Sequence, residues 1–174
     1  MNFAVNDFNS LAFIALGSNV GDSEKILRDV IARLEKLSRV PLVKSSLWQT
    51  TPVDCPPGSP PFVNAVVGLT PESGETPETL LPKLLSLEKE FGRKPKQVMN
   101  EPRRLDLDLI TFGSEMRSLP SLTLPHPRAH MRQFVLRPLS ELAPELVLPG
   151  QVKTVSQLLA TTPTKEVLVR LSSA

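Results

Sequence analysis

A chain of 174 residues is long enough for one domain with a substantial core, and 40% hydrophobic against 22% charged residues is ordinary for a globular protein in water. Twenty Lys+Arg against 18 Asp+Glu leave a net charge of +2, too near neutral for nucleic acid as the main partner. No apolar run approaches the roughly 20 residues of a membrane span, and residues 1–10 lack the charged-then-apolar pattern of a signal peptide. The single cysteine, Cys55, leaves no internal disulfide and fits a reducing, cytoplasmic setting. The expectation is one domain over residues 1–174, behind a loose lead-in at residues 1–10, acting as a monomer on small molecules, with no nucleic acid and no membrane.

Leu11–Leu16 is a short apolar run, expected as a buried strand. Gly17-Ser-Asn-Val-Gly-Asp22 turns the chain into a helix over Ser23–Leu37. There Ile26, Leu27, Val30, Ile31 and Leu34 recur at helical spacing, with Asp22 or Ser23 as cap. Val43–Thr51 predicts a second strand, Asp54–Pro61 a loop and Phe62–Thr70 a third strand. Thr76 and Pro77 open a second helix, striped by Leu80, Leu81, Leu84, Leu85 and Leu87 and ended by Gly92. Arg93–Pro102 is a polar loop and Arg104–Phe112 a fourth strand. Ser114–Pro127 reads as loop with at most a short strand. His130–Leu142 reads as a helix in two pieces broken at Pro138. Thr154–Ala160 predicts a last short helix and Glu166–Leu171 a tail strand. The order β-α-β-β-α-β is the ferredoxin-like pattern: an α+β fold with helices packed on an antiparallel sheet, here followed by a C-terminal helical extension.

The most informative stretch is Pro102-Arg-Arg-Leu-Asp-Leu-Asp108. Residues two apart on a strand share a face, so Asp106 and Asp108 stand side by side while Leu105, Leu107 and Leu109 face the other way. Adjacent carboxylates repel and invite a hard divalent cation with oxygen ligands. Arg103 and Arg104, just upstream, supply guanidinium groups suited to phosphate. Carboxylates, Mg²⁺ and arginines together point to phosphoryl transfer. Arg93, Lys94 and Lys96 add a basic loop before that strand, a natural partner for a triphosphate. Eighteen prolines, many of them in Pro52–Pro61 and Pro120–Pro127, stiffen long loops of the kind that bind ligands.

Other segments are ambiguous on their own residues. Gly17–Asp22 fits a tight turn with a helix cap better than a phosphate loop, since it has neither G-x-G-x-x-G nor a Walker lysine. Glu88 falls on or beside the leucine stripe and reads as a boundary residue in preference to an inward-facing acid paired with an arginine of the site. His126, in Pro125-His-Pro-Arg128, and His130 have no Cys or acidic neighbour at zinc spacing, which argues against zinc and favours phosphate contact or a solvated loop. Thr50–Val53 and Phe62–Asn64 flank the proline-rich loop, where an aromatic and an amide could hold a flat heterocycle.

The ordered set FIALGSNVGD, SSLWQTTPV, PPFVNAV, LEKEFGR, PRRLDLDLI and LPHPRAHMRQFVLRPLSELAPEL resembles the 6-hydroxymethyl-7,8-dihydropterin pyrophosphokinase family over residues 12–149. The resemblance implies a ferredoxin-like fold and transfer of the β,γ-pyrophosphoryl group of ATP to the pterin hydroxymethyl oxygen, releasing AMP. It implies Asp106 and Asp108 as ligands of two Mg²⁺ ions, with Arg93 and Arg103 on the phosphates as catalytic residues. Glu88, Leu109, His126 and Arg132 match ATP-side positions. Thr50, Val53, Phe62, Asn64 and Phe134 match the pterin pocket, with Phe62 and Phe134 sandwiching the ring. Two places depart from the family pattern. Pro95 stands where a second basic residue is usual, and Asn100-Glu101-Pro102-Arg103 replaces Trp-Gly-Pro-Arg. Two other readings compete. One is RNA stacked on strand aromatics, disfavoured by 5% aromatic residues and no tyrosine. The other is a different Mg²⁺-dependent phosphotransferase, which would release ADP.

Overall fold

Asp22 caps the first helix by accepting from the Lys25 amide, and Ile26, Leu27, Val30, Ile31 and Leu34 all point inward from Ser23–Glu35 (α1). Thr76 and Thr79 exchange reciprocal cap bonds at the start of Pro77–Glu90 (α2), where Pro77 occupies the first turn. Gly92, at φ +88, then turns the chain out of the helix. The computed structural model of the chain describes residues 7–95 and 97–174. Lys96, one of the basic loop residues singled out above, lies outside the described residues, as does the lead-in up to residue 6.

The strands are Ala12–Ser18 (β1), Val43–Lys44 (β2), Ser46–Thr50 (β3), Phe62–Leu69 (β4), Asp106–Phe112 (β5), Arg117–Leu119 (β6), Leu122–Leu124 (β7) and Leu168–Ser173 (β8). Six of them form one sheet in the order β5-β1-β4-β3-β8, with β2 also beside β4, and every pairing is antiparallel. Two further helices, Gln133–Leu142 (α3) and Val155–Thr161 (α4), follow β7.

Alternation along the central strands divides the core in two. Ala12, Ile14 and Leu16 of β1 join Val63, Ala65, Val67 and Leu69 of β4 and Leu107 and Leu109 of β5 under α1 and α2. Phe13, Ala15, Val66 and Ile110 face the other way and are covered by Val135, Leu136 and Leu139 of α3 and Val155 and Leu158 of α4. β1 and β4 are therefore buried on both faces, which explains their near-continuous apolar runs.

Four details differ from the sequence-based expectation. The second strand is interrupted at Ser45, whose hydroxyl accepts from the Val66 amide and so takes the place of a ladder carbonyl. Ser114–Pro127 contains a hairpin, β6 paired with β7. The helix over His130–Leu142 runs unbroken through Pro138; the interruption falls at Arg132, between a 3₁₀ turn at Ala129–Met131 and α3. Pro138 is buried, and packing on the sheet overrides the local penalty of its missing N–H. The C-terminal third, expected as a helical extension ending in a tail strand, supplies the second core, and its tail strand, β8, joins the main sheet beside β3.

Candidate active site

Gly17 sits at the end of the central strand with Asn64 as its register partner on one side and Asp106 on the other. Asn64 donates from Nδ2 to Thr50 Oγ1 at 2.7 Å. Its Oδ1 lies 3.0 Å from where a Cβ on residue 17 would stand, so any larger residue there would push the amide aside by a few tenths of an ångström. Four adjacent strands, β3, β4, β1 and β5, thus bring Thr50, Asn64 and Asp106 onto one face. Leu105, Leu107 and Leu109 are buried on the helix side of β5, and Asp106 and Asp108 lie half-buried on the opposite side. The alternation read from Leu-Asp-Leu-Asp is the one the strand adopts.

Guanidinium groups converge on those carboxylates. Arg93 Nη1 stands 3.2 Å from Asp106 Oδ1, and Arg103 Nη1 stands 3.2 Å from Asp106 Oδ2. On Asp108 Oδ2, Arg132 Nη1 approaches to 3.8 Å and His126 Nε2 to 4.0 Å. Burial pushes the Asp108 carboxyl up to about 6, and the neighbouring Asp106 charge adds to the shift. Burial, then the Arg132 and Arg128 charges, push His126 down to about 4. The Arg128 amide donates to His126 Nδ1 at 3.2 Å, leaving the Nε2 side to face Asp108. The site therefore carries a neutral imidazole among arginines at neutral pH.

Glu88 is buried and lies behind this layer. Its Oε1 accepts from the Leu107 amide at 2.8 Å and pairs with Arg93. That satisfies an amide of the edge strand β5 and fixes the arginine that reaches Asp106. Burial raises the Glu88 carboxyl above its ordinary value, partly offset by the Leu107 amide and the Arg93 charge. Glu88 is thus a support for Arg93, unlike the boundary residue its spacing describes.

A cavity of about 400 Å³ opens over Asp106 and Asp108. Arg93, Arg103, His126, Arg132, Thr50, Val53, Phe62, Asn64 and Phe134 all line it. Glu88 and Leu109 are not among its lining residues. The Leu109 side chain belongs to the core under α1 and α2, because it shares the leucine face of β5. Arg132 stacks on Phe134, with Cζ 5.3 Å from the ring centroid. Asp54, Asn100, Arg128 and Glu166 also line the cavity. Asn100 donates from Nδ2 to the Asp54 carbonyl at 2.8 Å, joining the basic loop to the proline-rich loop, and both residues have positive φ, +54 and +53. Arg128 was legible as part of a His-Pro-Arg loop. Glu166 was not: the tail that carries it meets the site through long-range contacts, the β3–β8 pairing and the bonds between Thr51 and Val167.

Paired carboxylates ringed by arginines on the floor of a cavity define a site for phosphate-bearing substrates, the class to which kinases belong. Residues 13–144 match the family profile described as 7,8-dihydro-6-hydroxymethylpterin-pyrophosphokinase. A 2-amino-4-hydroxy-6-hydroxymethyldihydropteridine pyrophosphokinase of Synechocystis is 37% identical over 148 residues, 85% of this chain and 74% of that one. The enzyme of the same description from Bacillus subtilis is 37% identical over 139 residues, 79% and 81% of the two chains. Among solved structures, a Plasmodium falciparum HPPK-DHPS superposes with TM-score 0.66 at 13% identity, covering 86% of this chain and 42% of that one. The chain belongs to the 7,8-dihydro-6-hydroxymethylpterin-pyrophosphokinase family. Its reaction is pyrophosphoryl transfer from ATP to 6-hydroxymethyl-7,8-dihydropterin, a step of folate biosynthesis.

Proposed function

We propose that Asp106 and Asp108 are the metal seat of this reaction and that the remaining lining residues divide between the two substrates. The carrying observation is the pair of carboxylates side by side on the cavity floor, with Arg93 and Arg103 on one and Arg132 near the other. Among the described residues there is no group of three or more His, Cys, Asp and Glu forming a complete protein cage. Two carboxylates without a third protein ligand suit Mg²⁺, which typically takes one or two carboxylates together with substrate phosphates. Two such ions between the carboxylates and ATP would supply neutralisation of triphosphate charge. Arg93 and Arg103 hold the transferring group, and His126 and Arg132 hold the nucleotide side. Phe62, Phe134 and the amide of Asn64 receive the pterin, with Thr50 and Val53 beside them. The contribution of the protein is orientation and fixed positive charge. Strand order β5-β1-β4-β3, with α1 and α2 on one face, supports the ferredoxin-like description of the fold. The lone cysteine supports a cytoplasmic setting.

The test is AMP formation from ATP, hydroxymethyl-dihydropterin and Mg²⁺. Asp106→Ala and Asp108→Ala each reduce it to near background. Full activity in either variant removes the metal assignment, and ADP in place of AMP removes the reaction.

A further inference from the structure

The turn after β1 carries more than a helix cap. Asn19 is 4% exposed and uses three of its polar groups on two other loops. Its backbone amide donates to the Arg103 carbonyl at 3.1 Å. Its side-chain Oδ1 accepts from the Arg103 amide at 2.9 Å. Its Nδ2 donates to the Pro60 carbonyl at 3.3 Å. The β1–β5 ladder ends at Gly17 opposite Asp106. Asn19 continues it by one rung, with a side-chain carbonyl standing in for the backbone acceptor.

That rung fixes the backbone of Arg103 from both sides, three residues before Asp106, which the Arg103 guanidinium meets at 3.2 Å. The remaining amide hydrogen holds Pro60, two residues before Phe62 at the start of β4. One side chain therefore sets the phosphate-side arginine and the approach to the aromatic side of the cavity. An asparagine is required because the position needs an acceptor and a donor on one short arm. Serine is too short to span both partners, and aspartate has no donor at neutral pH.

We infer that Asn19 is a positioning residue for this reaction, acting through Arg103 on turnover and through Pro60 on pterin binding. The inference rests on the assignment of Arg103 and Phe62 to the two substrates. The experiment is steady-state kinetics of the full chain with thermal unfolding run alongside. Asn19→Ala lowers kcat by about ten- to a hundredfold, the scale of a small misplacement of a catalytic group, and raises KM for the pterin. Asn19→Asp keeps the acceptor for the Arg103 amide and loses the donor to Pro60. It recovers most of the lost kcat and leaves the pterin KM raised. Equal kinetic losses in the two variants, or losses that only follow their unfolding temperatures, overturn the inference. So does native kinetics in Asn19→Ala. Arg103→Ala and Phe62→Ala are measured in the same assay. If they lose activity while Asn19→Ala does not, the inference alone fails. If Arg103→Ala and Phe62→Ala retain native kinetics, the substrate assignment fails and takes the inference with it.

Discussion

Asp108 is held in an environment that opposes its own charge. Burial and the Asp106 carboxylate raise its folded-state value to about 6 from an ordinary 3.8. Between those values the folded state binds more protons than the unfolded one, so this group's stabilisation is present in acid and is lost as pH rises through 6. His126 has the opposite slope. Its folded value is about 4 against an ordinary 6.5, so its stabilisation is present above 6.5 and is lost as pH falls through 4. In the unliganded protein the two contributions oppose one another across the same window. Asp108→Asn removes one of them. Its unfolding free energy at pH 7 rises by on the order of 1 kcal/mol, discounted for partial exposure, while its AMP formation is lost. The same variant shows a steeper loss of stability between pH 6.5 and 4 than the parent chain, because the His126 slope is then uncompensated. Urea titrations at pH 7, 5.5 and 4.5 check this. An unchanged stability at pH 7 contradicts the strain assigned to Asp108.

At the scale of elements, α3 decides where Arg132 and Phe134 stand, since both lie at its start. Its far end is tied to the sheet by Glu141, whose Oε2 accepts from the Ser46 amide at 3.1 Å and hydroxyl at 2.9 Å, and whose Oε1 accepts from Trp48 Nε1 at 2.5 Å. Arg137, one turn earlier, lies over the Trp48 ring with Cζ 5.8 Å from its centroid. These contacts dock the helix on β3, the strand that also carries Thr50. Glu141→Ala leaves the Ser46 amide and the indole without their acceptor and lowers stability by about 1–2 kcal/mol, a charged hydrogen-bond loss discounted for exposure. Glu141 is remote from Asp106 and Asp108, so the kinetic effect is a few-fold rise in KM with kcat within about threefold. A kcat collapse comparable with Asp108→Ala would mean that Glu141 has a part in the chemistry itself.

For the whole molecule, local chemistry was legible and long-range closure was not. Leu-Asp-Leu-Asp declared its two faces because strand alternation is a two-residue rule, and the caps at Asp22 and Thr76 were legible for the same local reason. The support role of Glu88 could be weighed but not chosen from its spacing, since its partners Arg93 and Leu107 come together only when α2 packs against β5. Asn19 read as a turn residue because its partners Pro60 and Arg103 lie 41 and 84 residues away. The tail was legible as a strand over Glu166–Leu171, but its place beside β3 was not. Leu168–Ser173 is mostly exposed and has little hydrophobic signal, yet it closes the sheet edge along the whole of β3. Arg28 of α1 adds bonds to Ser172 Oγ at 2.7 Å and the Ser173 carbonyl at 2.9 Å, and Leu171 packs against the core under α1 and α2. Removing residues 164–174 therefore strips β3 of its outer partner, leaving only β4, and uncovers the edge beside buried Leu47. An exposed edge strand is a template for association with other chains. The truncated chain loses roughly 2 kcal/mol, which lowers its unfolding temperature by about 4–8 °C, and it scatters light on warming before the parent chain does. Differential scanning calorimetry with light scattering checks both effects. An unfolding temperature within about a degree of the parent, with no early scattering, would reduce the tail to an ornament on a sheet already complete at β3.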